Sequence, residues 1–407
     1  MHIINYLKRI ISLLILVGAS INSKSQIVPV KVEQETGFFT KALSNSWYLI
    51  QNNNLGFTLN NWNNKNAFFV DYNFDTISNT YLNSIHQNTK EIGYIVAANN
   101  DNCFRLYKNK LYFYDASSKT EKVILKFPFT YKGIRYNLYE GKSKSMEGFS
   151  AYFDSLTNSI IFHIMPKKRS DLNADWAIQK NVAHKANLFI WVNFKGEIID
   201  GIGKYDGSYN YENMDHIGIR HFTINKLERK MIITQKGSTN IQTYNLNSKK
   251  TEVVTLNTNQ IKGDFSNYKN IHKNDSQESI LKILIETPSF DDVIYNENNN
   301  CYYVLRSDPT IDTTWQLAEQ KNIFSIKSMN KTKKAKVCSP GSPQMFDQFK
   351  VYRSKPLFIQ VYNQHFNFLG EYHVNLASAV RMVKSYPNYI LVNNPHLTKS
   401  MFRIYIQ

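Results

Sequence analysis

Glycine and proline are scarce for a chain that otherwise reads as strand: 16 and 10 in 407 residues. Collagen-like and low-complexity linker architectures are excluded, and another residue must turn the chain. Asparagine clusters where turns are needed, at Asn52-Asn53-Asn54, Asn99-Asn100-Asp101-Asn102 and Asn298-Asn299-Asn300. Its side chain bonds its own turn, and it tolerates left-handed backbone. Cysteine is rarer still. Cys103, Cys301 and Cys338 have no metal-ligand spacing and cannot all pair with one another. A disulfide-stapled scaffold is therefore excluded, although one disulfide is compatible with export. We read the three as small apolar strand residues.

Other absences bear on function. Beyond the N-terminus no run approaches the ~18 apolar residues of a membrane span, so no transmembrane segment is expected. There is no G-x-S-x-G elbow and no H-E-x-x-H pair. No segment interleaves arginine with aromatics as a nucleic-acid platform does. Acids are outnumbered, 32 against 49 Lys and Arg, giving a formal charge of +17. A basic surface suits nucleic acid, anionic glycan or lipid headgroups. Lys, Asn, Ile, Tyr and Phe are abundant together, however, as AT-rich coding favours, and we assign most of the charge to that bias and to solvated faces. No nucleic-acid partner is expected.

What is present begins at residues 1–25. Lys8-Arg9 precede ISLLILVGA, a basic region and a short apolar region followed by small residues, which is a signal peptide by pattern. Cleavage after Ser20 or, preferably, Ser25 leaves Gln26 first. Ala19 and Ser20 stand where a lipoprotein carries its cysteine, so the product is expected in the periplasm, at the outer surface or secreted, and is not a lipoprotein. Residues 26–407 read as one domain.

That domain is written in strands, with 26 Tyr and 25 Phe spread along it. The organising stretch is CFRLYKNKLYFYDASSKTEKVILKF, residues 103–127. It reads strand, strand, turn, strand, and its apolar side chains on both faces call for cover on both sides. Degraded copies recur. YNLNSKKTEVVTL (244–256) lies over FYDASSKTEKVILKF, and further copies run through 187–203, 324–339 and 356–374. Their closing turns fall near residues 117, 195, 247, 331 and 369. Gaps of ~40–50 residues are the period of a propeller blade, and gaps near 80 fit two blades with one copy unrecognised. The expected fold is all-β, a propeller of six or seven four-stranded blades. MFRIYI at the C-terminus is expected to complete a blade begun near the N-terminus. SILKILIE (279–286) fits strand or short helix equally.

LYFYDASSKTEKVIL, Tyr139-Glu140-Gly141 before GFSAYFDSLTNSIIFHI, and FIWVNFKGEIIDGIGKYD together resemble an uncharacterised family of exported bacterial β-propellers of the cell envelope. The resemblance implies six blades. It brings no activity and no catalytic residues. In such bacteria some Asp-Ser/Thr-apolar tripeptides are O-glycosylated, and Asp75-Thr76-Ile77 and Asp154-Ser155-Leu156 are similar to them.

The richest polar stretch is GIGKYDGSYNYENMDHIGIRHF, residues 201–222. Asp206, Glu212, Asp215 and His216 are the candidate acid–base or metal-ligating groups, and an ordinary polar loop is the plainer reading. Tyr209, Tyr211, Arg220 and His221 are candidate ligand contacts. Trp176 joins them from the polar stretch 166–186, either covering the core or stacking on a sugar. No metal site and no cofactor are expected. The function expected is a non-catalytic, monomeric binding module for a glycan, a peptide or an envelope protein. The alternative is a hydrolase or metal-dependent lactonase acting on a sugar or small ester.

Overall fold

The computed structural model describes residues 28–29, 31–34, 47–52, 56–61, 67–71, 76–77, 94–98, 102–115, 117–138, 151–166, 185–206, 220–270, 283–309, 355–374, 376, 381–394 and 400–406. These residues form 27 strands in six sheets.

Two short strands open the chain, β1 (Val28–Pro29) and β2 (Lys31–Gln34). The first sheet follows: β3 (Trp47–Asn52), β4 (Gly56–Asn61), β5 (Ala67–Asp71) and β6 (Thr76–Ile77). The second is β7 (Tyr94–Ala98), β8 (Asn102–Tyr107), β9 (Lys110–Asp115) and β10 (Thr120–Lys126). The third begins with a hairpin, β11 (Phe129–Tyr131) and β12 (Ile134–Leu138), before β13 (Ala151–Asp154), β14 (Ser159–Pro166), β15 (Asn187–Asn193) and β16 (Ile198–Lys204). The fourth is β17 (Arg220–Asn225), β18 (Lys230–Gln235), β19 (Asn240–Asn245) and β20 (Thr251–Thr255). The fifth is β21 (Ser289–Asn296), β22 (Cys301–Ser307), β23 (Leu357–Asn363) and β24 (Phe368–Val374). The sixth is β25 (Arg381–Ser385), β26 (Tyr389–Asn394) and β27 (Ser400–Tyr405). Residues 283–286 are helical, which settles the ambiguous 279–286 pattern for its second half.

Within the sheets successive strands pair antiparallel, except in the third, where both β12 and β13 pair with β14. β2 pairs antiparallel with β27, Lys31 opposite Tyr405, so the sixth sheet takes its outer strand from the N-terminus. β1 adds in parallel to β24 of the fifth sheet. The expected joining of the two chain ends is thus present.

The core lies between sheets, in layers. β18 illustrates the logic of period two. Met231 and Ile233 join a cluster with Phe189, Ile190 and Phe162 of the third sheet. Ile232 points the other way, to Phe290, Val293 and Tyr302 of the fifth. Another layer joins the fifth sheet's Ile294 and Leu305 to the sixth sheet's Ile390 and Ile404. A sheet apolar on both faces is stable only when stacked on both, each buried aliphatic or aromatic contributing about 1.5–3 kcal/mol. The first strands meet in turn: β17 touches β21, β21 touches β25, and β25 touches β3. β4 touches β7, and β7 touches β13. This circuit of stacked antiparallel sheets is a β-propeller-like fold.

Three expectations need correction. The hairpin 103–127 is not covered throughout: β9 is mostly buried, but β10 is exposed at its first four positions because it is the outer edge of its sheet. The turn expected at residues 368–370 lies at 364–367, where Asn363 accepts the backbone N–H groups of His365 and Asn367. Among the described residues the long gap between turns 117 and 195 holds no further sheet: the second sheet is followed by the third, which the β11–β12 hairpin opens. The segment 324–339 lies outside the described residues. The strands on either side of it, β22 and β23, pair with each other.

Candidate functional site

In an up-and-down sheet the connections from first to second and from third to fourth strand share one end. Seven such turns here are built alike. Asp115, Asp154, Asn193, Asn225, Asn245, Asn296 and Asn363 each accept a backbone N–H from two to four residues on. A left-handed residue then closes each turn: Lys119, Asn158, Gly196, Arg229, Lys249, Asn300 and Phe366. The other end of the sheets carries the long connections 78–93, 167–186, 205–219, 256–288 and 308–356.

Contacts between sheets confirm that both ends are shared. Arg229 in the β17–β18 turn donates to both carboxylate oxygens of Asp154 in the β13–β14 turn, at 2.7 and 3.1 Å. Lys226 lies 3.5 Å from Glu297 of the β21–β22 turn. At the opposite end the β18–β19 turn meets the start of β21, where Lys236 stands 3.7 Å from Asp291. One end is a floor of tight turns. The other is a surface of long connections, where ligand sites on rigid sheets usually form.

On that surface the entry to 205–219 is held firmly. Gln242 receives the Lys204 N–H and donates to the Lys204 carbonyl, at 2.8 and 2.5 Å. Gln235 donates to the same carbonyl and accepts the Asp206 N–H. Asp206 itself is engaged through its carboxylate by the Ser238 hydroxyl. In this position it anchors the start of the loop on the fourth sheet. His221 is 7% exposed on β17, with Nδ1 3.8 Å from Asp292 Oδ1. The same face of β17 carries Thr223, which accepts the Tyr295 N–H, and Asn225, which donates to the Tyr302 hydroxyl. His221 therefore belongs to a polar seam between the fourth and fifth sheets. Arg220 begins β17. Trp176, Tyr209, Tyr211, Glu212, Asp215 and His216 lie outside the described residues.

β21 supplies groups that sequence reading missed. A bulge at Asp291 breaks its register with β22. Comparable bulges fall at the second residue of β3 and the third residue of β7 and β25, so the fold repeatedly kinks its first strands at this end. A bulge re-aims the extra side chain. Asp291 accepts the hydroxyls of Ser289 and Ser307, at 2.8 and 2.9 Å, and faces Lys236. Asp292 receives the Met382 N–H at 2.8 Å while facing His221, and so touches the first strands of three successive sheets. Two adjacent acids inside the strand SFDDVIYN are a signal that sequence reading can use, since aspartate is depleted from strands.

Two further groups complete this end. Arg306, 1% exposed, donates to both oxygens of Glu371 at 2.6 and 2.7 Å and to Asp308. Burial raises the Asp308 carboxyl, and the Arg306 guanidinium partly offsets this. Lys355, 2% exposed, donates to the carbonyls of Leu284 and Thr287 at 3.0 and 2.7 Å. Burial first, and Lys236 nearby, lower its ammonium to about 7. No sequence pattern marks Lys355, which follows the polar run 352–354. Among the described residues no three His, Cys, Asp or Glu side chains are placed to hold a metal ion. No helix among them is long and apolar enough to cross a membrane.

No protein-family model matches this sequence, and no curated protein matches it. Solved structures do. A member of the DUF4221 family from Bacteroides vulgatus aligns over 94% of this chain and 99% of its own, with a TM-score of 0.52 and 12% identity. The calcium-binding protein regucalcin from Agrobacterium tumefaciens aligns over 94% and 96%, with a TM-score of 0.43 and 8% identity. A protein of Bacteroides fragilis named as exported aligns over 94% and 96%, with a TM-score of 0.43 and 9% identity. The likeness to the first, nearly end to end at low identity, is a likeness of fold.

Proposed function

We propose that residues 26–407 form a six-bladed propeller, exported by the leader 1–25, that binds a glycan, a peptide or an envelope protein through its long-connection face. The observation that supports this reading is the segregation of turns. One face spends its residues on seven near-identical tight turns, and the other carries long connections set on kinked strands. The candidate contacts Trp176, Tyr209, Tyr211 and Arg220 all fall on, or at the border of, connections of that second face. The hydrolase or lactonase reading has less support. Asp206 is committed to Ser238, and Asp291 to two serines and Lys236.

The test is hydrogen–deuterium exchange on the secreted chain, with and without a panel of envelope polysaccharides and peptidoglycan fragments. Protection is expected in peptides from 207–219, 258–282 or 310–354. Protection confined to the tight turns at 115–119, 154–158 and 225–229 would reverse the assignment of faces. Turnover of any panel member would favour the hydrolase.

A further inference from the structure

The two longest connections of the open face, 256–288 and 308–356, approach each other where Gly263 lies against Pro309, and they are hydrogen-bonded through the buried side chain of Lys355. Lys355 reaches from the end of the second into the end of the first, where residues 283–286 make a helical turn. Its Nζ donates to the carbonyls of Leu284 and Thr287, groups that the end of a helix leaves without internal partners. Among the described residues no carboxylate lies within ion-pair distance of it, although Asp291 on β21 and Asp308 after β22 are near enough to act through space. Lys236 in the β18–β19 turn opposes them. Donor and acceptor numbers therefore match for a neutral amine, which has two N–H groups and a lone pair. Among the described residues no third acceptor bonds Nζ, so a third N–H and a full charge would have to draw on the buried, unpaired Thr287 hydroxyl or go without a partner.

We propose that Lys355 is a proton-operated clasp that holds its own strand entry, at 355–356, to the helical turn 283–286 and the Thr287 that follows it when its amine is neutral. The clasp stands whether or not the face binds a ligand, since its test reads backbone opening and not binding. Opening exposes Nζ to water and returns it to ordinary amine basicity, near 10.4. The open form then takes up a proton that the closed form refuses. Between about pH 10.4 and the closed-form value near 7, each unit of acidification raises opening up to tenfold. Below that value both forms are protonated and opening levels off at its maximum.

The experiment is native-state amide exchange on the full chain at pH 6 and pH 8, corrected for intrinsic exchange and read on peptides covering 283–289 and 355–359. The native protein should open about tenfold less at pH 8 than at pH 6. Lys355→Met should show equal opening at the two pH values. Lys355→Arg, which keeps its charge, should also be flat, and at pH 8 should open more than the native protein. Equal pH dependence in native and Lys355→Met chains, or none in the native chain, overturns the clasp. If neither variant folds, a 13Cε titration of the native chain decides. One lysine signal with a midpoint near 7 supports the clasp, and lysine signals that all titrate near 10.4 refute it.

Discussion

Lys119, Arg229 and Lys249 occupy left-handed backbone that most chains give to glycine. The Asx residue at the head of each turn makes this tolerable, because its side chain supplies bonds that fix the turn whatever follows. This is how 16 glycines suffice for a chain of this fold. The asparagine clusters announced the device, but the left-handed lysines and arginine did not. A side chain there costs about 1–2 kcal/mol, so Lys249→Gly, at an exposed tip with φ of 56°, should raise stability measured by urea unfolding by up to about 1 kcal/mol. Gly196 closes the equivalent turn of the third sheet at φ of 89°. A Cβ at that position would strike the backbone carbonyl of Ile124 in the second sheet. Gly196→Ala should therefore destabilise by more than about 1 kcal/mol in the same measurement. Equal and small effects at both sites would mean that the turns are set by the strands and not by their own residues.

Sheets, as elements, are held by more than their ladders. In the fifth, Arg306 of β22 and Glu371 of β24 join two strands that are not neighbours, with β23 between them. Gln360 of β23 donates to the same carboxylate. With Asp308 the group holds one cation and two buried carboxyls, so its two halves are not equivalent. Arg306→Met strands both carboxyls and should cost about 3–5 kcal/mol, whereas Glu371→Gln leaves the Arg306–Asp308 pair and should cost under about 2 kcal/mol. The loss in Arg306→Met should shrink as pH falls through the acid range, since the Asp308 carboxyl, already raised by burial, takes up a proton once its cation is gone. Urea titrations at pH 5 and pH 8 measure both statements, and equal costs for the two variants would contradict them.

Strand positions were legible because apolar and β-branched runs were broken by turn residues, and the pairings β9–β10, β15–β16, β19–β20 and β23–β24 all fall on the recurring copies. Exposure of β10 and β20 was not legible. Val123 and Val253 suit an edge strand as well as a buried one, and only stacking order separates the cases. The buried ions were hidden for a related reason. Arg306, Asp308 and Lys355 sit at or just beyond strand ends, where sequence expects solvated charge, yet all three are buried in the fold.

At the scale of the molecule, the ends of the chain do what no internal strand can. Each of the first five sheets is complete within its own stretch of sequence, but the sixth lacks an outer strand until β2 arrives from residue 31. β1 first lies along β24, so seven residues tie the fifth and sixth sheets to the same short segment. This closure brings β27 together with a partner about 370 positions away, a contact whose loop-closure entropy is met only after everything between has folded. Removing the two strands separately distinguishes a tie from a seal. A chain beginning at Lys31 loses β1 alone. It should remain monomeric, with a modest fall in urea midpoint, because β24 regains an open edge like those of β10 and β20. A chain beginning at Glu35 loses β2 as well and leaves β27 unpaired beside β26. An unprotected β27 edge recruits other chains, so this form should elute as dimers or larger species in size-exclusion chromatography with light scattering. Its fall in midpoint should exceed that of the first truncation. If both forms stay monomeric and equally stable, stacking between sheets alone holds the circuit, and the N-terminal segment is dispensable to the fold.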